Sequence, residues 1–319
     1  MVTELILLGT AGGPAPVSGR AGIASAIRVD GRVFLVDAGR GTPSRFVDEG
    51  FDFAALEAVF ITHLHADHTA DLPGVLLYPW GLRKGDDGPL PPLGVFGPAA
   101  PATVPAAHEA EATGGFERVA LVSPDRPVPG IVELVGHILD GWAYHLNVMP
   151  LDSVMPDPAQ LVRTTAAPPA PLPVVVYDVD GVRVTAVEVL HGHAHPALAY
   201  RFDTPDGSIV FSGDTRVSDA LVALAEGADV LVHEVVDLDF LEKHGTTGLA
   251  LERMHALHTD VTEIGAVARR AGAGTLVLTH YLPADPTAVS ITYWRERAAA
   301  GFTGKTVAGE DGFRMCIPS

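Results

Sequence analysis

Short apolar runs separated by glycine-rich turns occupy the first part of the chain. The runs ELILLGT, SAIRVD, VFLVDAG and EAVFIT are rich in β-branched and aliphatic residues, which predicts short strands. Between them, TPSRFVDEG predicts a helix with Thr42 as its N-cap and Gly50 as its end. The stretch TADLPGVLLYPWGL predicts a partly helical segment that Pro73 interrupts.

The same pattern returns after residue 173. Strands are predicted at PVVVYDVDG, VRVTAVEVLH, LAYRFDT, SIVFSGDT and DVLVHEV, with hairpins at the Asp-Gly turns of YDVDGVRV and FDTPDGSIVF. A helix from about Val261 to Ala271, the strand TLVLTH, the helix TAVSITYWRERAAAG and the strands KTVAG and GFRMCI follow. Two blocks of strands, each followed by helices, predict an α/β fold with two packed sheets and helices outside.

Residues 83–173 interrupt this pattern. They combine stretches rich in proline, glycine and alanine with the amphipathic run GIVELVGHILDGWAYHLNVM. We interpret them as a helical and loop region inserted into a single domain spanning 1–319. The insertion is expected to form a lid over the site or an oligomer contact, in a protein that we expect to be a homodimer. A plain surface excursion is the alternative.

Composition and charge narrow the functional classes. Hydrophobic residues make up 47% of the chain, enough for a substantial core. The formal net charge of -18 opposes nucleic acid binding, which depends on Lys and Arg neutralising phosphates. The only cysteine, Cys316, permits neither an intrachain disulfide nor a cysteine-based metal site. No apolar run reaches the length of a membrane span or a signal peptide, so we expect a cytoplasmic protein without a membrane partner.

Metal-compatible side chains follow several predicted strands. THLHADH places His63, His65, Asp67 and His68 directly after EAVFIT, and later strands end in His191 with His193, in Asp214 and in His280. Imidazole nitrogens and carboxylate oxygens are ligands for divalent zinc. The first two histidines of the motif can share one metal, while the aspartate and the last histidine face a second. The sequence therefore predicts two divalent metal ions, most simply Zn²⁺ with manganese or iron as alternatives, bridged by Asp214.

The motifs THLHADH, VLHGH, FSGDT and LTH resemble, in order, those of the metallo-β-lactamase fold hydrolases. The resemblance covers nearly the whole chain apart from 83–173, and LGTAGG and FLVDAG are similar to the opening strands of that family. It implies a four-layer αββα sandwich with the metals at one edge, and a supporting role for the Asp37 carboxylate. By the same resemblance, one metal is held by His63, His65, a histidine of the 191–195 group and Asp214. The other is held by Asp67, His68, Asp214 and His280.

The third motif leaves a choice, because His191, His193 and His195 all lie in HGHAHPALAYRF. Relatives with the continuation PALAYRFDTPDG place the ligand nine residues before the tyrosine, which implies His191. This residue also lies directly at the strand end. A shorter loop would select His193.

The sequence around two further residues resembles motifs of one branch of the family, which contains ribonuclease Z and its arylsulfatase and phosphodiesterase relatives. LVHEVV carries Glu234, and HALHTDVTEIGAVA carries His258 at an expected helix start. In that branch the glutamate orients a histidine that protonates a leaving oxygen, and the alternative for His258 is a helix-capping or surface role. His233 and His255 are interpreted as structural, while His244 is left as a residue that could line the pocket.

The combined expectation is a metal-dependent hydrolase of an ester-type bond, carboxylic, phosphodiester or sulfate, in a small-molecule substrate. A hydroxide bridging the metals attacks, Asp67 orients it, and His258 with Glu234 supplies the leaving-group proton. Ribonuclease Z itself is disfavoured, because its long tRNA-gripping arm is missing between His191 and Asp214 and the chain is acidic. A lactonase is an alternative, although Val217 replaces its usual tyrosine, and a non-enzymatic metal-binding scaffold ranks last. Trp80, Trp142 and Tyr144 are candidates for an apolar pocket wall.

Overall fold

The computed structural model describes residues 2–85, 88–101, 122–123 and 125–317 of the 319-residue chain. Within these ranges, two seven-stranded sheets pack face to face and helices cover their outer surfaces. The architecture is the α/β sandwich of four layers that the sequence predicts.

The first sheet is built mainly from the N-terminal half of the chain. Its strands are β1 Thr3–Gly9, β2 Ala24–Val29, β3 Arg32–Val36, β4 Leu56–Phe60, β7 Leu93–Pro98, β8 Val162–Ala167 and β16 Arg314–Ile317, while β5 Lys84–Gly85 and β6 Gly88–Pro89 pair only with each other. The order is β16-β1-β2-β3-β4-β7-β8, with β3, β4, β7 and β8 parallel.

The second sheet follows the same plan in the C-terminal half. Its strands are β9 Val174–Val179, β10 Val182–Val189, β11 Ala197–Thr204, β12 Gly207–Phe211, β13 Val230–Val236, β14 Thr275–Leu282 and β15 Lys305–Ala308. The order is β15-β14-β13-β12-β11-β10-β9, and β12 to β15 are parallel. Loops after parallel strands meet at one edge of a sheet, which is where such folds place their sites.

Helices flank each sheet and two short 3₁₀ turns connect elements. They are α1 Thr42–Asp48, α2 Ala66–Thr69, α3 Leu72–Leu77, α4 Ile131–Gly141, α5 Ala143–Asp152, α6 Asp219–Leu224, α7 Leu238–Lys243, α8 Leu249–Leu257, α9 Ile264–Ala271 and α10 Ile291–Ala298, with 3₁₀ turns at Phe53–Ala55 and Pro158–Gln160. None of the described helices combines the length and apolar character needed to cross a lipid bilayer.

The core between the two sheets is aromatic. Phe60 of the first sheet and Phe202 of the second lie edge to face, with ring centroids 5.1 Å apart, and both are fully buried. An outer core lies between each sheet and the helices that cover it. The outer core of the first sheet contains Trp80, and that of the second contains Trp294. The inner core holds the sheets together, so the loops at their edge have fixed relative positions.

Two predicted helix boundaries are wrong. Thr42 is the first residue of α1 rather than its cap; Gly41 caps the helix in a left-handed conformation, with φ of 94°. Pro73 lies in the first turn of α3, where its missing N–H breaks no helical hydrogen bond, so it begins a helix instead of interrupting one. Gly50, with φ of 79°, does follow the end of α1 as expected.

The helix predicted from Val261 begins three residues later, at Ile264. Val261 N–H donates to the Val236 carbonyl, which keeps this stretch beside β13. The Asp260 carboxylate accepts hydrogen bonds from the backbone N–H and the hydroxyl of Thr262, which forms a turn there.

The prediction that residues 83–173 form only helices and loops is incomplete. It does contain α4 and α5, but β7 and β8 add two strands to the first sheet, next to β4. The proline- and alanine-rich residues 102–121 lie outside the described ranges. A lid or oligomer-contact role for this segment stays a prediction.

The inner core generates a stability prediction. Phe202→Ala removes a fully buried ring, and we expect the free energy of unfolding to fall by about 3–5 kcal/mol. Denaturant titration followed by circular dichroism measures this change. Tyr144→Ala is the control, since Tyr144 is 82% exposed, and should change the free energy by less than about 0.5 kcal/mol. Equal losses of unfolding free energy for both variants would contradict the placement of Phe202 in the core between the sheets.

Candidate metal centre

The histidine motif leaves strand β4 at the edge of the first sheet. The N–H of Ile61 donates to the Phe96 carbonyl, so the chain stays bound to the sheet until the motif begins. The side chains of His63 and His68 are buried, whereas His65 is exposed. The motif therefore places two imidazoles inside the sandwich and one at its surface.

Three imidazoles and one carboxylate form the first group. His65 Nδ1 lies 3.0 Å from His63 Nε2 and 3.3 Å from His191 Nε2. Asp214 Oδ2 lies 3.7 Å from His191 Nε2 and 4.0 Å from His63 Nε2. The structure therefore brings His191 to this group, and His193 is absent from every metal-compatible cluster among the described residues.

Asp67, His68, Asp214 and His280 form the second group. The Nε2 atoms of His68 and His280 are 3.3 Å apart. Asp67 Oδ2 lies 3.6 Å from His68 Nε2 and 3.3 Å from His280 Nε2. Asp214 belongs to both groups, with Oδ1 3.4 Å from His68 Nε2 and Oδ2 3.3 Å from His280 Nε2.

The donor set fits two divalent cations. The ligand atoms of His63, His65 and His191 lie within 4.8 Å of one another, and so do those of Asp67, His68, Asp214 and His280. His191 Nδ1 is 2.8 Å from the Leu257 carbonyl oxygen, which only accepts, so Nδ1 carries the proton and Nε2 directs a lone pair into the group. Imidazole nitrogens and carboxylate oxygens that converge at these distances are the arrangement that a metal ion satisfies.

Asp37 and Thr62 support this geometry from behind. Asp37 Oδ2 is 2.8 Å from His68 Nδ1, and its Oδ1 accepts the Thr62 N–H at 2.8 Å. The Thr62 hydroxyl donates to Asp37 and lies 3.2 Å from His63 Nδ1. One carboxylate thus orients a histidine of each group, directly for His68 and through Thr62 for His63.

Two site residues adopt backbone conformations that are rare outside glycine. Asp37 has φ of 62° and His280 has φ of 49°. Left-handed non-glycine residues cost roughly 1–3 kcal/mol each and persist where surrounding structure fixes them. This strain is located at the metal centre, where it aims the two side chains.

Burial and charge act in opposite directions on the ionisable groups. Burial lowers the pKa of His63 well below its ordinary value. Burial also disfavours a charged His68, but the carboxylates of Asp214 and Asp37 raise the pKa of His68 well above its ordinary value. Burial would raise the pKa of Asp67, yet the hydrogen bond with His280 and the charge of His68 lower it to about 2. Both groups therefore contain ionised carboxylates where cations would bind.

Glu234 and His258 form a pair next to the metal groups. The Glu234 Oε1 atom accepts from His258 Nδ1 at 3.1 Å and from the backbone N–H groups of Thr215 and Thr259. Burial lowers the pKa of His258, but the charge and hydrogen bond of Glu234 outweigh it and raise the pKa to about 9. His258 Nδ1 lies 4.0 Å from Asp214 Oδ2. A protonated imidazole is therefore held at the rim of the centre.

The prediction that His258 begins a helix is wrong. It caps the C-terminal end of α8, and its N–H donates to the Met254 carbonyl. The dipole at a helix C-terminus favours a positive charge, so α8 and Glu234 both stabilise protonated His258.

The remaining histidines singled out in the sequence lie apart from both groups. His233 is fully buried and its Nδ1 donates to the Glu234 carbonyl, in agreement with a structural role. His244 stacks on Phe240 with ring centroids 3.8 Å apart, and His255 is exposed. His195 pairs instead with a carboxylate at 2.7 Å, that of Glu188.

The aromatic residues suggested for a pocket wall have other environments. Trp80 is 2% exposed within the outer core of the first sheet, and its indole N–H donates to the Pro156 carbonyl. Trp142 and Tyr144 are both exposed, near the junction of α4 and α5. The pocket beside the centre is lined by other residues.

Three contributing residues escaped sequence reasoning. Thr62, the first letter of THLHADH, carries the hydroxyl described above. A Cβ on Gly12 would lie 2.7 Å from His280 Nδ1, so only glycine permits this approach. The N–H of Gly13 donates to Asp67 Oδ2 at 3.0 Å. The signal was present as the Gly-Gly pair after the first strand.

Comparisons with known proteins agree with this geometry. A model of the metallo-beta-lactamase superfamily matches residues 19–280. Ribonuclease Z of Mycobacterium bovis (strain BCG / Pasteur 1173P2) is 35% identical over 319 residues, covering 98% of this chain and 97% of that protein. Ribonuclease Z of Mycolicibacterium paratuberculosis is 33% identical over 317 residues, covering 98% of both.

Solved structures show the same fold at low identity. The short form of human tRNase Z has a TM-score of 0.65 at 20% identity, covering 99% of this chain and 100% of that chain. The metallo-beta-lactamase fold protein YhfI from Bacillus subtilis has a TM-score of 0.64 at 18% identity, with the same coverage. From its sequence relatives, its fold and its converging histidines and aspartates, the chain belongs to the metallo-β-lactamase superfamily, as a metal-dependent hydrolase related to proteins named ribonuclease Z.

Proposed function

We propose that the protein hydrolyses a phosphodiester bond in RNA, in the manner of the ribonuclease Z proteins that it is similar to. The carrying observation is the 35% identity to one of them along 98% of the chain, with ligand-type residues at every position of both groups. This proposal replaces the expectation of a small-molecule ester as the main substrate.

Neither reason for disfavouring RNA is decisive. The match to the Mycobacterium bovis protein spans 319 residues and 97% of that protein, which leaves no room for a long arm that this chain lacks. The net charge of -18 describes the whole chain, whereas two bound divalent cations would add four positive charges at the reacting phosphate. A formal charge is therefore weak evidence about the site itself.

The proposed ligand sets follow the two groups. His63, His65, His191 and Asp214 would hold one divalent metal; Asp67, His68, Asp214 and His280 would hold the other. The histidine-rich donor set favours Zn²⁺, with manganese or iron as alternatives. Bound metals would supply an activated water and would polarise a phosphoryl oxygen. Asp67 would orient the attacking water, and Asp37 with Thr62 keeps the histidine nitrogens aimed at the metals.

His258 is the proposed proton donor. Water adds to phosphorus and loses one proton to solvent, the bond to the leaving oxygen breaks, and the His258 proton passes to that oxygen, which yields an alcohol and a phosphate monoester. Solvent then returns a proton to His258. Glu234 holds the ring through Nδ1, so Nε2 is the nitrogen that faces substrate. The pair is a donor whose orientation is fixed before substrate binds.

A small phosphodiester is the second candidate substrate. The observation that favours it is the excess of acidic residues, 39 Asp and Glu against 21 Lys and Arg, which disfavours a long polyanion. The same metal centre and donor would serve both substrates.

RNA cleavage is the direct test. We expect metal-loaded protein to cut a precursor tRNA with a 3′ extension at one position, and chelation followed by dialysis to abolish cutting. Gel analysis of end-labelled RNA measures both results, and readdition of Zn²⁺ or Mn²⁺ is the control. Full cleavage after metal removal would exclude a metal-dependent reaction; cleavage of bis(p-nitrophenyl) phosphate but never of RNA would favour the second candidate.

The ligand assignment predicts different metal contents for two neighbouring histidines. His191→Ala should lose about one metal ion per chain, because it removes a ligand from a four-ligand group. His193→Ala should keep both, since His193 lies outside the groups. Elemental analysis of protein purified without added metal measures this. The reverse result would assign the third-motif ligand to His193.

The donor assignment predicts a loss of rate without a loss of metal. His258→Ala should lower kcat about 10²–10⁴-fold on an RNA or alkyl phosphodiester with an unchanged metal content. On a p-nitrophenyl ester the loss should be much smaller, because p-nitrophenolate leaves without a proton. The kcat of Glu234→Gln should lie between that of the wild type and that of His258→Ala. Equal losses on both ester types would indicate that His258 does not donate the proton.

A further inference from the structure

A groove of about 380 Å³ opens beside the metal centre on the side of His63 and His65, which form part of its wall. We call it the proline groove. The loop carrying His193 forms one side, Leu134 of α4 contributes to another, and the rest of the described lining includes Val128 and five prolines: Pro98, Pro101, Pro127, Pro129 and Pro196. The metal centre and the groove therefore form one continuous surface.

The described lining of the proline groove is poorly suited to a phosphate. Among the described residues that line it, histidine is the only type that can carry positive charge, and neither Lys nor Arg contributes. Phosphate binding in proteins relies on arginine, lysine or backbone N–H groups, and proline has no N–H. Prolines and Leu134 instead offer flat apolar surfaces, and the exposed His193 ring provides a stacking face. An uncharged planar ring fits this chemistry.

The groove and the proton donor border different side chains of the centre. The His191 ring is near both, with its centroid 5.1 Å from the His65 ring and 5.1 Å from the His258 ring. His65 lines the groove, whereas His258 lines a separate cleft of about 340 Å³ with Arg216 and Val217. The leaving oxygen must lie near its proton donor, so the leaving group extends toward that cleft. The groove then receives the other substituent of the phosphate.

We propose that the proline groove binds the base of the nucleoside that retains the phosphate after cleavage. His193 is a specificity-determining residue of this subsite. The proposal rests on the proposed function, since it names the part of a nucleic acid phosphodiester that the groove takes.

The test compares esters that share one leaving group. Thymidine 5′-p-nitrophenyl phosphate, thymidine 3′-p-nitrophenyl phosphate and methyl p-nitrophenyl phosphate all release p-nitrophenolate, so they differ only in the substituent that keeps the phosphate. We expect at least one thymidine ester to exceed the methyl ester about tenfold or more in kcat/KM, mainly through a lower KM. Release of p-nitrophenolate by metal-loaded protein is followed at each substrate concentration.

Two histidine variants locate the preference. His193→Ala should reduce the thymidine-to-methyl ratio about tenfold while retaining metal. His255→Ala is the matched control: it removes an exposed histidine that lines the cleft beside His258, and should leave the ratio unchanged. Val128→Asp, which places a charge on a loop residue of the groove, should reduce the ratio as His193→Ala does.

The outcomes separate the two proposals. Equal kcat/KM for all three esters, or a ratio that neither groove variant changes, would overturn the groove assignment and leave phosphodiester hydrolysis standing. A lower ratio in His255→Ala, but not in His193→Ala, would place the base in the cleft and also overturn it. If metal-loaded protein cuts precursor tRNA but none of the three esters, the groove assignment alone is overturned. If it cuts neither RNA nor any of the esters, the proposed function is rejected, and the groove assignment with it.

Discussion

The buried carboxylate of Asp214 is the constraint on which the site depends. It lies at the end of β12 in the second sheet, 3% exposed, yet its oxygens face imidazoles from both sheets at 3.3–4.0 Å. Burying an ionised carboxylate costs several kcal/mol unless cations or donors compensate. The charge of His68 compensates within the protein chain, and bound metals would do so more completely. The sandwich is therefore arranged so that a negative charge lies where the two sheets meet.

A second, smaller network decides how the histidines meet that charge. Asp37 and Thr62 lie just beyond strands β3 and β4 of the first sheet, and they determine which ring nitrogen of His68 and His63 faces the centre. Thr62 also connects the sheets, because its carbonyl accepts the N–H of Leu198 from β11. Packing of the sheets and orientation of the candidate metal ligands are thus coupled through the backbone and the side chain of one residue. This coupling explains why an interior polar cluster is retained in an otherwise aromatic core.

The acidic composition of the chain is compatible with its relationship to proteins named ribonuclease Z, because the charges close to the site matter more than the net charge. The repulsion between an acidic chain and RNA is screened beyond about 8–10 Å at ordinary ionic strength, whereas contacts at the reacting phosphate are short. Protonated His258 and the exposed Arg216 line the cleft beside the centre, whereas the described lining of the proline groove contains neither Lys nor Arg. Within the described residues, the cleft therefore carries more positive charge than the groove.

Local sequence determined most of the elements and the chemical type of the site. Alternating and continuous apolar runs predict strands wherever one or both faces are buried, and strands such as Val182–Val189 and Ala197–Thr204 follow those runs closely. The histidine and aspartate residues at the strand ends identified a two-metal donor set for the same local reason. Boundaries set by turns were wrong at Thr42, Pro73 and Val261, His258 ends a helix rather than beginning one, and the strands β7 and β8 were not predicted.

Only the tertiary structure decided which residues share a site. His191 is distinguished from His193 because Gly192 between them has φ of 57°, which turns the chain and leaves His193 in the groove. His258 reaches Glu234 from the end of α8, and β7 and β8 join the first sheet from within a segment that looked like an insertion. These placements depend on pairing between strands distant in sequence, which periodicity does not encode. Sequence alone thus determined which residue types are available, whereas sheet pairing and core packing determined which of them meet.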